Sequence, residues 1–305
     1  MPMYNVGFTI KEFRKRKSIT QESLCEGLCE PSTLSKIESG RQNPTKKLLE
    51  ALMSRLGSPI TNFNIPVSQT EFQRGQIERE IASSFANFDY DIKELLDEYE
   101  SCSPEMDKLE KQFYLFSYAV AFFRKNNTDK KLEMLLDSMR QTFPDYKVGI
   151  DFSSHFLTVF ELIILNNISL SLYKLNKKDE ALNLLIKVEE YLSNHEIERE
   201  EFAKQYPIVI NNLVGWLAHD KDFEKARFFA QKGIDCCIKY GKLSPLPILA
   251  YNLGYVLISL EEVEEGIEYV KEAISLLKLM KRTDTLELVI SDIKKCFGED
   301  FLKKI

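Results

Sequence analysis

Residues 20–44 read TQESLCEGLCEPSTLSKIESGRQNP and decide the fold of the first part of the chain. Thr20 is a favourable N-cap for one short helix, and Pro31 suits the first turn of a second, where its missing N–H needs no partner. Gly40 can adopt the left-handed conformation that ends this second helix. Only Cys29-Glu30 would lie between the two helices, which is the spacing of a helix-turn-helix.

The second helix carries polar side chains away from its apolar side. Leu34 and Ile37, three residues apart, form that apolar side. Outside it lie three hydroxyl side chains and one cation: Ser32, Thr33, Ser35 and Lys36. Short hydroxyls and a lysine are suited to base edges and phosphates, so this face is the predicted DNA-reading surface. A small helical bundle unrelated to DNA is the alternative.

Several fixed spacings in this region agree with one known family. Thr20-Gln21, residues 34–40 (LSKIESG) and Asn43-Pro44 resemble the helix-turn-helix of lambda-repressor-type bacterial regulators. The glycine usual in the turn is missing and the turn is one residue shorter, as in the peptide-pheromone-responsive regulators of the PlcR and Rgg type. The resemblance implies that Gln21, Arg41 and Asn43 join the hydroxyls and Lys36 in contacting double-stranded DNA.

The charge of the chain is distributed unevenly. Residues 1–65 contain ten Lys or Arg and six Glu, a net charge of +4, whereas the whole chain carries −6. The remainder therefore carries −10 and would be repelled by phosphate. This asymmetry favours nucleic-acid contact through the first part alone.

Composition and motifs predict a cytoplasmic protein that is not an enzyme. No stretch approaches the 18 or so apolar residues of a membrane span, and residues 1–4 begin no signal peptide. The six cysteines form no CxxC pair, so we expect no metal and no cofactor. Cys25 and Cys29 are either a redox pair or small buried apolar residues. His155, His195 and His219 lie far apart, and no catalytic motif accompanies them.

A domain boundary is predicted between Pro59 and Pro66. Thr45 can cap a fourth helix before it, and residues 68–71 (SQTE) form a capping-box pattern that starts a linker helix after it. We therefore expect residues 1–65 to form the helix-turn-helix domain and residues 66–305 to form the linker helix and a second domain.

The second domain contains a repeated phrase and no predicted strand. Residues 178–185 (KDEALNLL) recur as 223–230 (FEKARFFA) and as 263–270 (VEEGIEYV), at spacings of 45 and 40 residues. Each phrase places a small residue where one helix must pass close to another: Ala181, Ala226 and Gly266. The arrangement resembles the tetratricopeptide repeat (TPR), with a spacing longer than its usual 34 or so residues.

Two weaker copies, at residues 113–143 and 77–99, extend the predicted pattern toward the N-terminus. The expected fold is therefore all-α, a helix-turn-helix domain followed by a linker helix and a TPR-like α-solenoid of about five helical hairpins. Behind a helix-turn-helix, such an array resembles the pheromone-responsive regulators over nearly the whole chain.

Asparagines recur at one position of the first helix in three repeats. Asn167, Asn212 and Asn252 each lie fourteen residues before the small residue of the repeated phrase. A carboxamide both donates and accepts, so such a row can hold the backbone of an extended peptide. Around it lie further candidates for peptide contact: Asn166, Asn211, Tyr118, Tyr173, Tyr251 and Tyr255. The alternative is that these asparagines bond neighbouring helices or face water. In the family that the chain resembles, asparagines on the concave face hold the signalling peptide.

Together these patterns predict a quorum-sensing type of transcriptional regulator. Its partners would be double-stranded DNA, a short signalling peptide and a second copy of the chain, because one head reads too few bases for specific binding. Peptide binding would shift the population of array curvatures and so the spacing of the two heads. A TPR scaffold that controls a partner protein, with the DNA-binding head as a tether, is the alternative from another functional class.

Overall fold

The computed structural model describes residues 6–59, 68–87, 89–102, 105–123 and 127–303. Within these ranges the regular elements are fifteen α-helices and one 3₁₀ helix, and no strand occurs. The chain divides into two compact units, Met1–Glu198 and Arg199–Ile305. The predicted all-α class is confirmed.

Unit 1 contains the helix-turn-helix head and the first helical pairs. Its helices are α1 (Val6–Arg16), α2 (Gln21–Cys25), α3 (Pro31–Glu38), α4 (Lys46–Arg55), α5 (Gln69–Ala86), α6 (Lys93–Ser101), α7 (Lys108–Phe122), α8 (Thr128–Arg140), α9 (Val159–Lys174) and α10 (Lys178–Asn194). The first four form the head around one apolar core, and the others pack in sequential pairs, α5 on α6, α7 on α8 and α9 on α10.

Local capping signals fix the ends of the head helices where the sequence predicts them. The Thr20 hydroxyl accepts a hydrogen bond from the Ser23 N–H, and Thr45 caps α4 in the same way. Pro31 occupies the first turn of α3. Gly40 has a φ of +74° and ends α3, as predicted.

The turn between α2 and α3 differs from its prediction. Helix α2 ends at Cys25, so residues 26–30 connect the two helices, and Gly27 takes a φ of +73° within that turn. The prediction that the turn is short and lacks a glycine is therefore wrong. At the end of α2 the Glu26 backbone leaves the helical conformation, with φ −49° and ψ 121°, and Arg55 bonds the carbonyls of Leu24 and Glu26.

Helix α5 begins at the predicted capping box. The Ser68 hydroxyl accepts from the Glu71 N–H while the Glu71 carboxylate accepts from the Ser68 N–H. The predicted boundary segment itself, residues 60–67, lies outside the described residues. The division into 1–65 and 66–305 stays a prediction, and the head and the first pairs share one compact unit.

The head core continues into the pairs of unit 1. Leu109, at the start of α7, and Phe156, before α9, pack against the apolar cluster of the head. Lys47 of α4 donates to the buried Tyr99 hydroxyl at 3.0 Å and lies 2.5 Å from the Glu78 carboxylate. The head is therefore docked on the pairs through both apolar and charged contacts.

Unit 2 continues the same pattern of paired helices. It contains α11 (Arg199–His219), α12 (Phe223–Tyr240), α13 (Leu246–Ser259), α14 (Val263–Leu279), α15 (Thr283–Phe297) and a 3₁₀ helix (Glu299–Lys303). Helix α11 packs on α12, α13 on α14, and the first helices α11 and α13 also contact each other.

The same turn joins successive helices at the repeat positions. One residue with positive φ follows each of several helices, and these residues are Asn176, Lys221, Glu261 and Lys281. The next N–H in each case bonds back to a carbonyl five residues earlier, as in Lys177 to Leu172 and Glu262 to Leu257. This recurrence is the backbone counterpart of the repeated phrase in the sequence.

The small residues of the repeated phrase lie at close helix crossings, as predicted. Ala181 and Ala226 are fully buried. A methyl group added to Gly266 would lie 2.7 Å from the Gly254 carbonyl oxygen, and one added to Gly254 would lie 2.7 Å from that of Gly266. Helices α13 and α14 therefore cross in backbone contact at these two glycines.

Among the described helices, none is both long enough and apolar enough to cross a membrane.

Candidate nucleic-acid interface and first-helix face

A buried ion pair holds α3 against α1. The Arg14 guanidinium donates two hydrogen bonds to the Glu38 carboxylate, at 2.6 and 2.8 Å, and a third to the Ile19 carbonyl at 2.9 Å. Gln21 Nε2 donates to the same Glu38 carboxylate at 2.7 Å. Glu38, at the end of α3, thus bonds to α1 and to the start of α2. These bonds fix the orientation of α3 within the head.

The environment of Glu38 favours its charged form. Burial acts to raise the pKa of the Glu38 carboxyl, but the hydrogen bonds from Arg14 and Gln21 outweigh burial and lower the pKa below its ordinary value. The same contact raises the pKa of Arg14. The pair is therefore ionised at neutral pH.

The structure brings most of the predicted DNA-contacting residues to the surface. Exposed side chains are Ser32, Ser35, Lys36, Arg41 and Asn43, whereas Thr33 and Gln21 are half-buried. Gln21 and Ser35 line one open cleft together with Lys15. One N–H of the Gln21 amide donates to Glu38, which leaves its second N–H and its carbonyl oxygen for this surface.

The positive charge of the head is divided between two sides. Lys15, Arg16, Lys36 and Arg41 are exposed. Lys47 and Arg55 instead face the helical pairs of unit 1, where carboxylates meet them. Only part of the net +4 is therefore available to a nucleic acid.

In unit 1 the predicted peptide-contacting asparagines lie on α9. Asn167 is half-buried, and its Nδ2 donates to the Ile163 carbonyl one turn earlier at 3.0 Å. Asn166 is buried. On the neighbouring first helix, the Tyr118 ring is half-buried and stacks on Phe122 at 4.4 Å. Asn167 thus lies on the side of α9 that is partly open.

In unit 2 the asparagines of neighbouring first helices meet. Asn252 Nδ2 of α13 donates to Asn211 Oδ1 of α11 at 3.0 Å, and Asn212 is half-buried beside Asn211. Within the described residues, this bond leaves Asn252 Oδ1 as an acceptor and Asn211 Nδ2 as a donor. One donor and one acceptor side by side match the N–H and C=O of a peptide backbone.

The remaining predicted tyrosines lie in three different environments. Tyr173 is half-buried at the end of α9 with the Lys178 ammonium 5.7 Å from its ring. Tyr255 is half-buried and its ring lies 5.5 Å from that of Phe297. The Tyr251 ring belongs to the apolar core of unit 2, and its hydroxyl donates to Asp292 at 2.5 Å. Burial, and next the bond to Asp292, raise the Tyr251 pKa well above its ordinary value.

Sequence reasoning missed the buried polar residues that join the head to the pairs. Arg55 of α4 and Glu161 of α9 are both buried, with Arg55 NH2 3.5 Å from Glu161 Oε1. The only local signal is the spacing of Thr158 and Glu161, which forms a capping box at the start of α9. A capping box predicts where α9 begins and does not indicate a distant arginine.

The cysteines and histidines form no metal centre in the described part of the chain. Cys25 is buried and Cys29 is half-buried, and burial raises the pKa of the Cys29 thiol to about 11. A thiol with so high a pKa is a poor nucleophile at neutral pH. The reading of these two as small apolar residues agrees with this environment.

The fold and the surface together define the class of protein, which has a helix-turn-helix head followed by TPR-like helical pairs. A helix-turn-helix family model matches residues 10–63. No curated protein sequence matches the chain significantly.

Solved structures of one bacterial regulator share this arrangement. PlcR from Bacillus thuringiensis in complex with the peptide PapR7 and DNA is 21% identical, with 92% of this chain and 98% of that chain covered and a TM-score of 0.57. The apo form of PlcR is 19% identical, with 94% and 98% covered and the same TM-score of 0.57. The predicted resemblance to regulators of this type is confirmed at the level of the fold.

Proposed function

We propose that this chain is a cytoplasmic transcriptional regulator that binds double-stranded DNA through α3 and is controlled by a short peptide. The observation that supports the DNA part most directly is the construction of the head. Helix α3 is held against α1 by the ion pair between Glu38 and Arg14 and by the apolar core. Its outward side carries Ser32, Ser35 and Lys36. A rigid helix with an exposed polar side is what the major groove of DNA accepts.

The exposed charges fit the same role. Lys15 and Arg16 end α1, and Arg41 follows α3, so cations flank the polar side of α3. Cations around a reading helix contact phosphates, and they set affinity and register rather than sequence preference. We assign Lys36, Arg41, Ser32, Thr33, Ser35, Gln21 and Asn43 to the DNA interface on this basis.

The peptide part rests on the asparagines of the first helices. The Asn211–Asn252 pair offers one acceptor and one donor, and Asn212 and Asn167 occupy corresponding repeat positions. An extended peptide backbone presents groups of both kinds. Tyr118, Tyr173 and Tyr255 are half-buried and suited to side-chain pockets. PlcR, which shares the fold, has been crystallised with a peptide and DNA together.

Selection from a random duplex library tests the DNA part. The purified chain is expected to enrich one sequence with two-fold symmetry and half-sites about one helical turn apart, because two heads of a dimer would read it. Light scattering with and without that duplex measures the dimer. Failure to enrich any sequence would contradict the proposal and favour the alternative of a scaffold for a partner protein.

Mass spectrometry of peptides that co-purify with the chain from its native host tests the peptide part. We expect one short peptide whose synthetic form binds the purified chain at a ratio of one per chain. Asn212→Ala should weaken this binding, whereas Asn183→Ala, on the exposed side of α10, should leave it unchanged. Equal affinity of both variants would remove the asparagines from the proposed site.

A further inference from the structure

Arg55 holds the turn that precedes the reading helix. Its NH1 donates to two main-chain carbonyls at the end of α2, that of Leu24 at 3.1 Å and that of Glu26 at 2.6 Å. The Arg55 side chain is only 4% exposed. A guanidinium with several fixed donors can satisfy two carbonyls at once, so it sets the path of the turn.

Glu161 holds Arg55 from the neighbouring helix α9. The Glu161 carboxylate is fully buried and lies 3.5 Å from Arg55 NH2. It also accepts from the Thr158 N–H at 2.6 Å and from the Thr142 hydroxyl at 2.5 Å. Its position is thus fixed by the first turn of α9 and by the segment after α8.

The network reaches further into the pairs. Gln112 Nε2 of α7 donates to the Thr142 hydroxyl at 2.6 Å, and the Ser138 hydroxyl of α8 donates to the Gln112 carbonyl at 2.8 Å. Three helices outside the head therefore determine where the Glu161 carboxylate lies.

A second contact joins the turn between α2 and α3 to the segment after α8. A methyl group added to Gly27 would lie 1.8 Å from the Thr142 carbonyl oxygen, so the turn and the segment after α8 touch through their backbones. In addition, the Val159 N–H, at the start of α9, donates to the Ser54 hydroxyl of α4 at 2.9 Å. The start of α9 thus contacts the head through Ser54 and Arg55 and, by way of Thr142, through Gly27.

We propose that Glu161 and Arg55 are positioning residues for DNA reading, which transmit the position of α9 to the turn between α2 and α3. The inference rests on the proposed DNA-binding function. The turn sets the angle between α2 and α3, and so which base edges Ser32, Ser35 and Lys36 can reach. The cations that we assign to phosphate contact lie outside this network. The contacts of Glu161 and Arg55 therefore govern which DNA sequence is preferred and not the overall affinity for DNA.

Glu161 shares helix α9 with one of the asparagines that we propose contact the peptide. Asn167 lies on the same helix, six residues after Glu161. A ligand that shifts α9 through Asn167 would therefore also shift the carboxylate that holds Arg55, without touching the DNA-facing surface of α3.

Two kinds of variant separate positioning from simple stability. Arg55→Lys keeps the charge but cannot bond two carbonyls and a carboxylate in the same fixed geometry. The double variant Arg55→Met with Glu161→Leu removes both charges together, so neither is left buried without its partner. Ser169→Ala is the matched control, because it removes a buried hydroxyl of α9 that donates to the Asn166 carbonyl of its own helix and takes no part in this network.

The measurement compares two duplexes, the sequence selected by the wild-type chain and a scrambled duplex of equal length and composition. We expect Arg55→Lys and the double variant to lower the ratio of selected to scrambled affinity by about tenfold or more, with scrambled affinity changed by less than about twofold. The control is expected to keep the wild-type ratio. Hydrogen exchange of residues 21–31 should accelerate in both test variants, while exchange in α13 and α14 stays unchanged.

An unchanged affinity ratio in a double variant that still melts cooperatively would overturn the proposal, and so would an equal loss for both duplexes. Unchanged exchange of residues 21–31 would also overturn it, since the turn would then not depend on Arg55. If the wild-type chain selects no duplex, the proposed function fails, and the exchange experiment still decides whether Glu161 and Arg55 hold the turn.

Discussion

Asn252 donates a hydrogen bond from its Nδ2 to Asn211 Oδ1 at 3.0 Å, which joins the first helices of two successive pairs in unit 2. The sequence left two interpretations of these asparagines open, contact with a peptide backbone and bonding between neighbouring helices, and this contact is compatible with both. The asparagines do bond neighbouring helices, and in doing so they orient the remaining amide groups. A side chain fixed in this way loses less entropy when a ligand binds, so the pair would be pre-organised for the peptide backbone that we propose it holds.

Asn252→Ala is predicted to weaken peptide binding more than it weakens folding. The substitution removes the acceptor offered by Asn252 and frees Asn211 to rotate, so peptide affinity should fall by about tenfold. Loss of one partly exposed hydrogen bond should lower the free energy of unfolding by only about 1 kcal/mol. Titration calorimetry with the co-purified peptide, together with urea unfolding, measures both effects. A large loss of stability with unchanged affinity would mean that the pair is purely structural.

The stability of the head is predicted to decline at acid pH because of Glu38. The pKa of Glu38 is lowered in the folded state, so its stabilising contribution is present above the unfolded pKa of about 4.3 and is lost as the pH falls through the folded value. Glu38→Gln should therefore flatten the acid side of the pH–stability curve. Glu133→Gln, an exposed carboxylate on α8, serves as the control and should leave the curve unchanged.

Removal of the Glu38 side chain is predicted to be far more damaging than its neutralisation. Glu38→Ala leaves the Arg14 guanidinium and the Gln21 amide without their shared acceptor, at a cost of about 3–5 kcal/mol in the free energy of unfolding. Urea unfolding at neutral pH measures this cost. A loss below about 1 kcal/mol, typical of exposed pairs, would show that the pair is effectively solvated.

Features set by a few neighbouring residues were predictable from the sequence. The caps at Thr20, Thr45 and Ser68 depend on a side chain and an N–H three residues apart, and each is found where the sequence places it. The small residues at helix crossings were predictable for a different reason. A repeated phrase places a small residue at the same helix crossing in each repeat. Ala181 and Ala226 occupy the same position of that phrase, so their burial at a crossing was predictable.

Features set by distant residues were not predictable. The end of α2 depends on Arg55, which bonds the carbonyls of Leu24 and Glu26 from about thirty residues further along the chain. The docking of the head depends on contacts such as Ser54 to Val159, 105 residues apart. In a single sequence nothing marks such partners, because neither residue has a periodic or local pattern that requires the other.

Lys36→Ala is predicted to weaken specific DNA binding by roughly 1–3 kcal/mol if its ammonium group contacts a base edge. If the lysine contacts only phosphate, affinity for selected and scrambled duplexes should fall together, and the slope of log affinity against log salt should decrease by about one. Gel-shift titration at several salt concentrations separates the two outcomes. Lys130→Ala, an exposed lysine on α8, is the control for loss of charge alone. Identical behaviour of the two variants would remove Lys36 from the interface.

Two glycines of unit 2 are predicted to respond in opposite directions to the same substitution. Gly254 meets Gly266 in backbone contact, and an added methyl group would lie 2.7 Å from the Gly266 carbonyl oxygen and 2.8 Å from the Val270 side chain. Gly254→Ala must therefore push α13 and α14 apart, with a loss of about 1–3 kcal/mol in the free energy of unfolding.

Gly215 is the matched comparison, because it lies exposed about one turn before the end of α11 with no atom within 4 Å of an added methyl group. Gly215→Ala should stabilise the chain by up to about 1 kcal/mol, since alanine has the higher helix propensity. Thermal and urea unfolding of the two variants measures the difference. If Gly254→Ala is as stable as Gly215→Ala, the close crossing of α13 and α14 is incorrect, and with it the reason for a small residue at this position of the repeat.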